Sequence, residues 1–451
     1  MSKFDSALTP PTRSAYVEAQ VPKTQSKRST SSAYVWYVVG LLAVVNSINQ
    51  MDRSVLSILS PLIKVDLKIS DTQLGLMTGL AFFLFYAVCG IPIARWADRG
   101  IRRNLICTAL AIWSLITALC GIVQTTPQLF LTRIGVGIGE AGSFPASSSV
   151  IADYIPPKGR ALAFSIQTFG LVSGTTLGLI VAGTLGQWIG WRTTFVAVGA
   201  PGVVIAAIVW LTLREPVRGQ LDPHLNGKEL AKDYAPSLME TIRYLWSRKT
   251  FILITLYAVA NGFVQYGLNQ WWPSFYVREF QLSLSAVGTN LGLAVGIGSA
   301  VGLWAGGFFG NKIARRDMKL PLVLGAFAIL LSLPTACASL FVPSVKVSFF
   351  FISLTWVLWT LPYGSIAAAS TNVIDPRMRA TAGALITFAT SVFGFGVGPS
   401  CVGLVSTLLT EYLGHDGLRY AMLVPICVIP VMTPVLCAAA RALPHDIYRA
   451  A

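Results

Sequence analysis

The sequence predicts an all-α membrane protein, with twelve transmembrane helices in two pseudo-symmetric six-helix halves. Three observations carry that prediction. Hydrophobic residues make up 54% of the 451 and charged residues 12%, and the mean hydropathy is +0.64, far from an ordinary soluble domain. The apolar runs are long enough to cross a bilayer. The basic loops between them recur in the same order in both halves of the chain.

Taken in order, the apolar runs lie at about 35–59, 74–94, 105–124, 129–152, 161–187, 194–213, 251–277, 285–310, 320–342, 347–371, 380–409 and 418–440. The longest polar stretch, 214–250, falls between the sixth and seventh. The division expected is therefore a cytoplasmic tail (1–33), an N-terminal half (34–213), a cytoplasmic linker (214–250), a C-terminal half (251–441) and a short tail (442–451). Residues 1–33, rich in Pro, Ser and Thr with scattered Lys and Arg, read as disordered and lack the apolar core of a signal peptide.

Orientation follows from the basic residues. Placing the N-terminus inside puts 26 of the 34 Lys and Arg in cytoplasmic segments, 6 in outer loops and 2 within helices. Both termini are therefore expected in the cytoplasm, and a bacterial inner membrane is the expected location. The net charge of +15 is explained by this asymmetry, and no nucleic-acid partner is called for.

The halves repeat one another. Ala94 to Arg103, containing Asp98, Arg99 and Arg102, aligns without gaps on Gly307 to Arg316, and Pro157-Lys-Gly-Arg160-Ala aligns on Pro376-Arg-Met-Arg379-Ala. Both pairs join corresponding helices. Duplicated six-helix halves are one way to build a transporter with its site between the repeats.

Several chemistries are excluded. The seven cysteines fall in apolar runs without CxxC spacing, and the three histidines lie in loops or near the C-terminus, so neither a disulfide framework nor a metal site is expected. Gly137-Ile-Gly139-Glu-Ala-Gly142 satisfies GxGxxG but sits inside a membrane helix with no preceding strand. No P-loop is present, so the energy source expected is an ion gradient, with protons first, and no cofactor. No converging nucleophile, base and metal set suggests an enzyme.

Four charges stand out inside apolar runs: Asp52 and Arg53 in the first helix, Arg133 and Glu140 in the fourth. Each costs at least about 2.5–3.5 kcal/mol near a bilayer centre unless it is paired or faces water. Arg133 and Glu140, seven residues apart, share a helix face. The boundaries above put Asp52 about 11 Å, Arg133 about 6 Å and Glu140 about 16 Å from the outer surface, one stratum in the outer half.

A carboxylate that loses its guanidinium partner binds a proton more tightly, so a substrate anion competing for arginine would couple to protons. Glu140 is the expected principal proton site and Asp52 the second, with Arg53 and Arg133 as charge partners or anion binders. A static ion-pair network fixing helix packing is the alternative.

Further candidates for the cavity are Asn49, the stripe Asn261, Gln265 and Asn269 on the seventh helix, and the aromatic row Trp356, Trp359 and Tyr363 on the tenth. Interhelical bonding and simple packing compete with that reading. Glycines recur every fourth residue at Gly170, Gly174 and Gly178, at Gly298, Gly302, Gly306 and Gly310, and at Gly75 and Gly79, marking faces where helices approach closely.

At 94–103 the chain resembles the major facilitator superfamily, whose signature there is G-x-L-a-D-R-x-G-R-K/R: Asp98, Arg99, Arg102 and Arg103 match, while Ala94, Trp96 and Ile101 depart. The resemblance implies a cytoplasmic latch at Asp98, Arg99, Arg102 and Arg103, and glycine-faced contacts between helices five and eight and between two and eleven. Within the superfamily, Asn49-Gln-Met-Asp52-Arg53, Ile69 to Leu76, Phe85-Tyr86, Trp113-Ser114 and Arg133 to Ala141 resemble the Spinster-like branch, with Gln50 where tyrosine is common. That implies a monomeric secondary active transporter working by alternating access on an amphipathic or anionic solute, of lysolipid or sphingoid type. A proton symporter for small organic or aromatic acids, or a non-coupled facilitator, remains the alternative.

Overall fold

The computed structural model describes residues 31–156, 159–217, 221, 238–375 and 378–447. Residues 1–30 of the expected disordered tail and most of the linker therefore lie outside the described residues, and the first helix begins at Ser32, inside that expected tail. Among those described, the chain is helical throughout, and it forms twelve membrane-length segments.

The N-terminal half comprises α1 (Ser32–Leu67), α2 (Asp71–Thr78 continued by Leu80–Arg99), α3 (Arg102–Leu119), α4 (Thr126–Glu140 continued by Ser143–Tyr154), and the stretch Arg160–Thr212, which divides into α5 and α6. The C-terminal half comprises α7 (Lys249–Asn269 continued by Trp272–Phe280), α8 (Leu284–Ala314), α9 (Leu320–Phe341), α10 (Val345–Thr360 continued by Tyr363–Val373), α11 (Arg379–Ala389 running on through Val397–Leu413) and α12 (Gly417 to Asp446). A short helix, Leu238–Ser247, precedes α7. One end of the bundle carries Ser32, Thr212, Lys249 and Asp446 and is called the terminal end here. The opposite end carries the α1–α2 and α7–α8 turns and is called the far end.

The division between α5 and α6 rests on one residue. Gly190 adopts φ 76° and ψ 165° inside an otherwise helical run, a conformation any residue with a Cβ resists. The expected connection of several residues shrinks to that glycine.

The other interruptions fall at mid-depth. α4 breaks between Glu140 and Ser143, where Pro145 removes an amide from the next turn. Its counterpart α10 breaks at Leu361–Pro362 for the same reason. In α11, Thr390–Gly396 winds as a π-helix. Such irregular backbone is tolerated at membrane depth only where protein or a cavity covers it.

α1 is longer than expected and this moves the charged residues. It runs to Leu67, so Asp52 lies fifteen residues, about 22 Å, from its far end. Glu140 lies fourteen residues, about 21 Å, along α4 from Thr126. The two carboxylates therefore share a level near the middle of the bundle, not the outer half.

Packing fuses the halves at one end. One buried apolar cluster runs through the C-terminal half and across the far end into Val55, Leu59, Leu74 and Phe195 of the other half. A second cluster, around Val39, Trp113, Val136 and Val150, belongs to the N-terminal half.

The glycine rows do not all serve where the resemblance placed them. Gly75 and Gly79 do face α11, with no room for a side chain against Pro399, Gly396 and Ser400. Gly170, Gly174 and Gly178 instead seat α5 on Ala43, Ser47 and Met51 of α1, within one half. Gly298, Gly302 and Gly306 likewise seat α8 on Ser353, Val357 and Leu361 of α10. The crossing of α5 with α8 is made by other glycines, Gly183, Gly288 and Gly292.

Candidate functional site

At mid-depth, where α1, α2 and α4 converge, Arg53 and Glu140 make an ion pair, Nε donating to Oε2 at 2.8 Å. The Arg53 guanidinium also lies over three rings of α2, at 5.0 Å from Phe82, 5.4 Å from Phe83 and 5.1 Å from Tyr86. Flat aromatic faces and a carboxylate together hold this charge in one place.

Arg133 is held differently. Its guanidinium lies 5.3 Å from the Phe82 ring, it is buried, and its Nε and Nη1 make no hydrogen bond. No ion pair within 4.0 Å joins it to Asp52 or Glu140. A buried guanidinium with two idle donors is a rare arrangement, and each such group calls for an explanation.

Asp52 is fully buried among Arg133, Glu140, Thr117 and Trp113. Neither of its oxygens makes a hydrogen bond, nor does Glu140 Oε1. Asn49 sits beside Glu140 and is half-buried.

The four charges are thus neighbours, but they do not face the same way. A cavity of about 40 Å³ lies between the halves, lined by Gln50, Arg53, Ser57, Phe83 and Arg133 on one side and Tyr266, Asn269 and Gln270 on the other. Both arginines line it. Asp52 and Glu140 do not; they sit behind the arginines, within the N-terminal half. The volume holds a few waters.

An aromatic cluster joins both halves beside this cavity: Phe83 and Tyr266 line it, Tyr266 stacks on Phe395 with centroids 4.0 Å apart, and Phe83 meets both at 5.2 and 5.3 Å. Toward the far end, Asp71 closes the bundle. Its carboxylate takes Arg278 Nη1 and Nη2 at 2.7 and 2.6 Å, Lys64 Nζ at 2.6 Å and Ser406 Oγ at 2.7 Å. Thr72 bonds Thr407, Ser60 bonds Ser274, and Ser57 donates to the carbonyls of Asn269 and Gln270. All of these bonds join the halves, save that from Lys64, and all lie in the far half of the bundle.

The remaining expected site residues divide. Gln265 Nε2 donates to Asn261 Oδ1 at 3.2 Å and Tyr363 donates to Gln265 Oε1 at 2.8 Å, a polar strand linking α7 and α10. Asn269 alone of that stripe lines the small cavity. Trp359 is turned away: it is buried and donates Nε1 to Ser332 on α9 at 3.0 Å, inside the C-terminal half. Trp356 packs against it at 5.6 Å and covers Gly298. The aromatic row therefore contributes Tyr363 to the polar link between α7 and α10 and two tryptophans to packing.

In the expected latch, the side chains of Asp98 and Arg99 lie outside the described residues. Arg102 is buried and bonds Glu215 at 2.8 Å, Asp153 at 2.5 Å, Ser149 at 2.8 Å and the Pro216 carbonyl at 3.2 Å. The Arg103 amide adds a bond to Glu215 at 2.9 Å. These contacts tie α3 to α4 and to the chain leaving α6, all within one half.

Sequence reasoning missed Asp71 with its partners, and Phe82, Phe83 and Phe395. Glu279, His415 and Asp416 bring donor atoms within 4.8 Å of one another, but Arg419 bonds both carboxylates and already supplies the positive charge there.

The fold is that of a class of membrane transporters. A model of the Major Facilitator Superfamily matches residues 42–399, and the chain belongs to that superfamily, in its Spinster-like branch. It is 33% identical to an MFS-type efflux pump of Mycolicibacterium smegmatis over 88% of this chain and 90% of that one. It is 26% identical to human protein spinster homolog 1, covering 82% and 73% of the two chains. The crystal structure of a bacterial homolog of the human lysosomal transporter Spinster, in an inward-facing and unoccupied conformation, superposes with a TM-score of 0.83 at 30% identity, covering 94% of this chain and all of that one.

Proposed function

We propose that this protein is a proton-coupled secondary transporter that moves an amphipathic or anionic organic solute by alternating access. The observation that carries the reading is the arrangement of charges: two arginines face the cavity between the halves and two carboxylates stand directly behind them. A solute anion meets guanidinium, and the proton meets carboxylate.

Arg133 is the primary anion handle, because its Nε and Nη1 are uncommitted. Arg53 is committed to Glu140, so a solute that recruits it must release that carboxylate. A released carboxylate in an apolar setting binds a proton. Glu140 is accordingly the main proton site and Asp52 the second. Asn49, Asn261, Gln265, Asn269 and Tyr363 offer polar contacts to the part of the solute beyond its charge.

The positive-inside count supports a cytoplasmic terminal end and suits a bacterial inner membrane. Asp71 and Arg278 join the halves at the far end, which fits a conformation closed on that side. The chain works as a monomer, since the site lies between its own halves.

Reconstituted vesicles test this reading. Flux of lysophospholipids, sphingoid phosphates and aromatic acids is followed with and without an imposed pH gradient. Gradient-driven accumulation supports it, and flux indifferent to pH replaces it with a facilitator.

A further inference from the structure

We propose that the short helix Leu238–Ser247 is a docking surface for anionic lipid headgroups, made by the face that carries Met239, Arg243 and Trp246. The helix has two opposed faces. At 100° per residue, Thr241, Tyr244 and Leu245 fall on one side, together with Arg248 just past the helix end. That side is packed: Thr241 and Leu245 are buried, the Tyr244 hydroxyl donates to the Val373 carbonyl at 3.2 Å, and the Arg248 guanidinium lies 4.8 Å from the Tyr244 ring.

Met239, Arg243 and Trp246, at i, i+4 and i+7, form the opposite side. Trp246 is 70% exposed and Met239 66%. Exposing a tryptophan and a methionine on one helix face is unfavourable in water unless something apolar covers them.

The position of the helix says what that cover is. Ser247 is followed by a single residue, Arg248, before the membrane helix α7 begins at Lys249. One residue spans about 3.8 Å, so the helix end lies at headgroup depth. There, a tryptophan on an apolar face flanked by basic residues is the pattern of an interfacial helix. Arg243 and Lys249, both exposed, supply positive charge, and basic residues beside a membrane favour acidic lipid. Because Leu245 belongs to a cluster with Phe251, Ile374 and Ala382, the helix is fixed to the C-terminal half, and lipid held by it acts on that half.

Amide hydrogen exchange of the full chain, one copy per lipid nanodisc, tests the proposal independently of any solute. Nanodiscs of phosphatidylcholine alone are compared with nanodiscs containing one third phosphatidylglycerol. The peptide spanning 238–247 is expected to exchange about tenfold more slowly with phosphatidylglycerol, and 0.5 M salt should remove the difference. The variant Arg243→Glu/Trp246→Ser should lose it while peptides from α9 keep their native protection, which shows that the fold is intact. Equal exchange in the two lipids, or a difference that survives the double substitution, overturns the proposal, whether the face is then bare or covered by another part of the chain.

Discussion

Arg53 and Glu140 pair at 2.8 Å across eighty-seven residues of sequence, while Asp52, the residue next to Arg53, points the other way into the N-terminal half. Consecutive residues on α1 thus serve two compartments, one facing the cavity and one facing α3 and α4. Removing Glu140 alone leaves Arg53 without its carboxylate. Glu140→Gln is expected to destabilise the protein by about 3 kcal/mol, read as a lower melting temperature in detergent. Arg53→Met/Glu140→Met should recover most of that stability and none of the transport.

Arg133 makes a separate prediction. Because no carboxylate neutralises it within 4.0 Å, Arg133→Ala should weaken solute binding by about 10- to 100-fold, appearing in KM before kcat. Arg133→Lys restores charge but not the guanidinium fork, so partial recovery is expected. A wild-type KM for Arg133→Ala would remove it from the site.

At the far end, Asp71 receives four charged or hydroxyl donors, two of them from Arg278 on the other half. Asp71→Asn should loosen this closure. In Ser57→Cys protein, labelling by a membrane-impermeant thiol reagent from that side should accelerate about tenfold when Asp71→Asn is added, one power of ten per 1.4 kcal/mol of lost closure. An unchanged labelling rate would show that the apolar seal, and not the ion pair, holds the end shut.

The glycine rows separate gating from stability. Gly288 crosses to Leu179 of the other half, whereas Gly174 meets Ser47 of its own. Gly288→Val should hold the far end open and raise far-side labelling of Ser57→Cys. Gly174→Val should lower the melting temperature in every conformation, with no such bias.

Much of this was legible in the sequence, for identifiable reasons. Charged side chains in apolar runs are conspicuous because they are costly, so Asp52, Arg53, Arg133 and Glu140 stood out. Helix length and rotation were not legible. Ending α1 near 59 leaves Lys64 outside the helix and places Asp52 too near the surface, whereas the helix runs to Leu67. The stripe at Asn261, Gln265 and Asn269 was correctly polar, but periodicity cannot tell that Tyr363 binds one part and the cavity takes another. A glycine every fourth residue marks a close approach without naming the neighbour, so the rows on α5 and α8 were assigned to the wrong partners. Trp359 fits an interface as well as a core by composition, and only its bond to Ser332 decides.

The carboxylates behind the arginines are proposed to carry the proton. The most direct measurement compares wild-type and Glu140→Gln protein in vesicles, each assayed for solute exchange at equal pH and for accumulation driven by a pH gradient. Glu140→Gln is expected to retain exchange and to lose gradient-driven accumulation at every pH between 5 and 8. Gradient-driven accumulation by Glu140→Gln at the wild-type level and pH dependence would contradict that proposal.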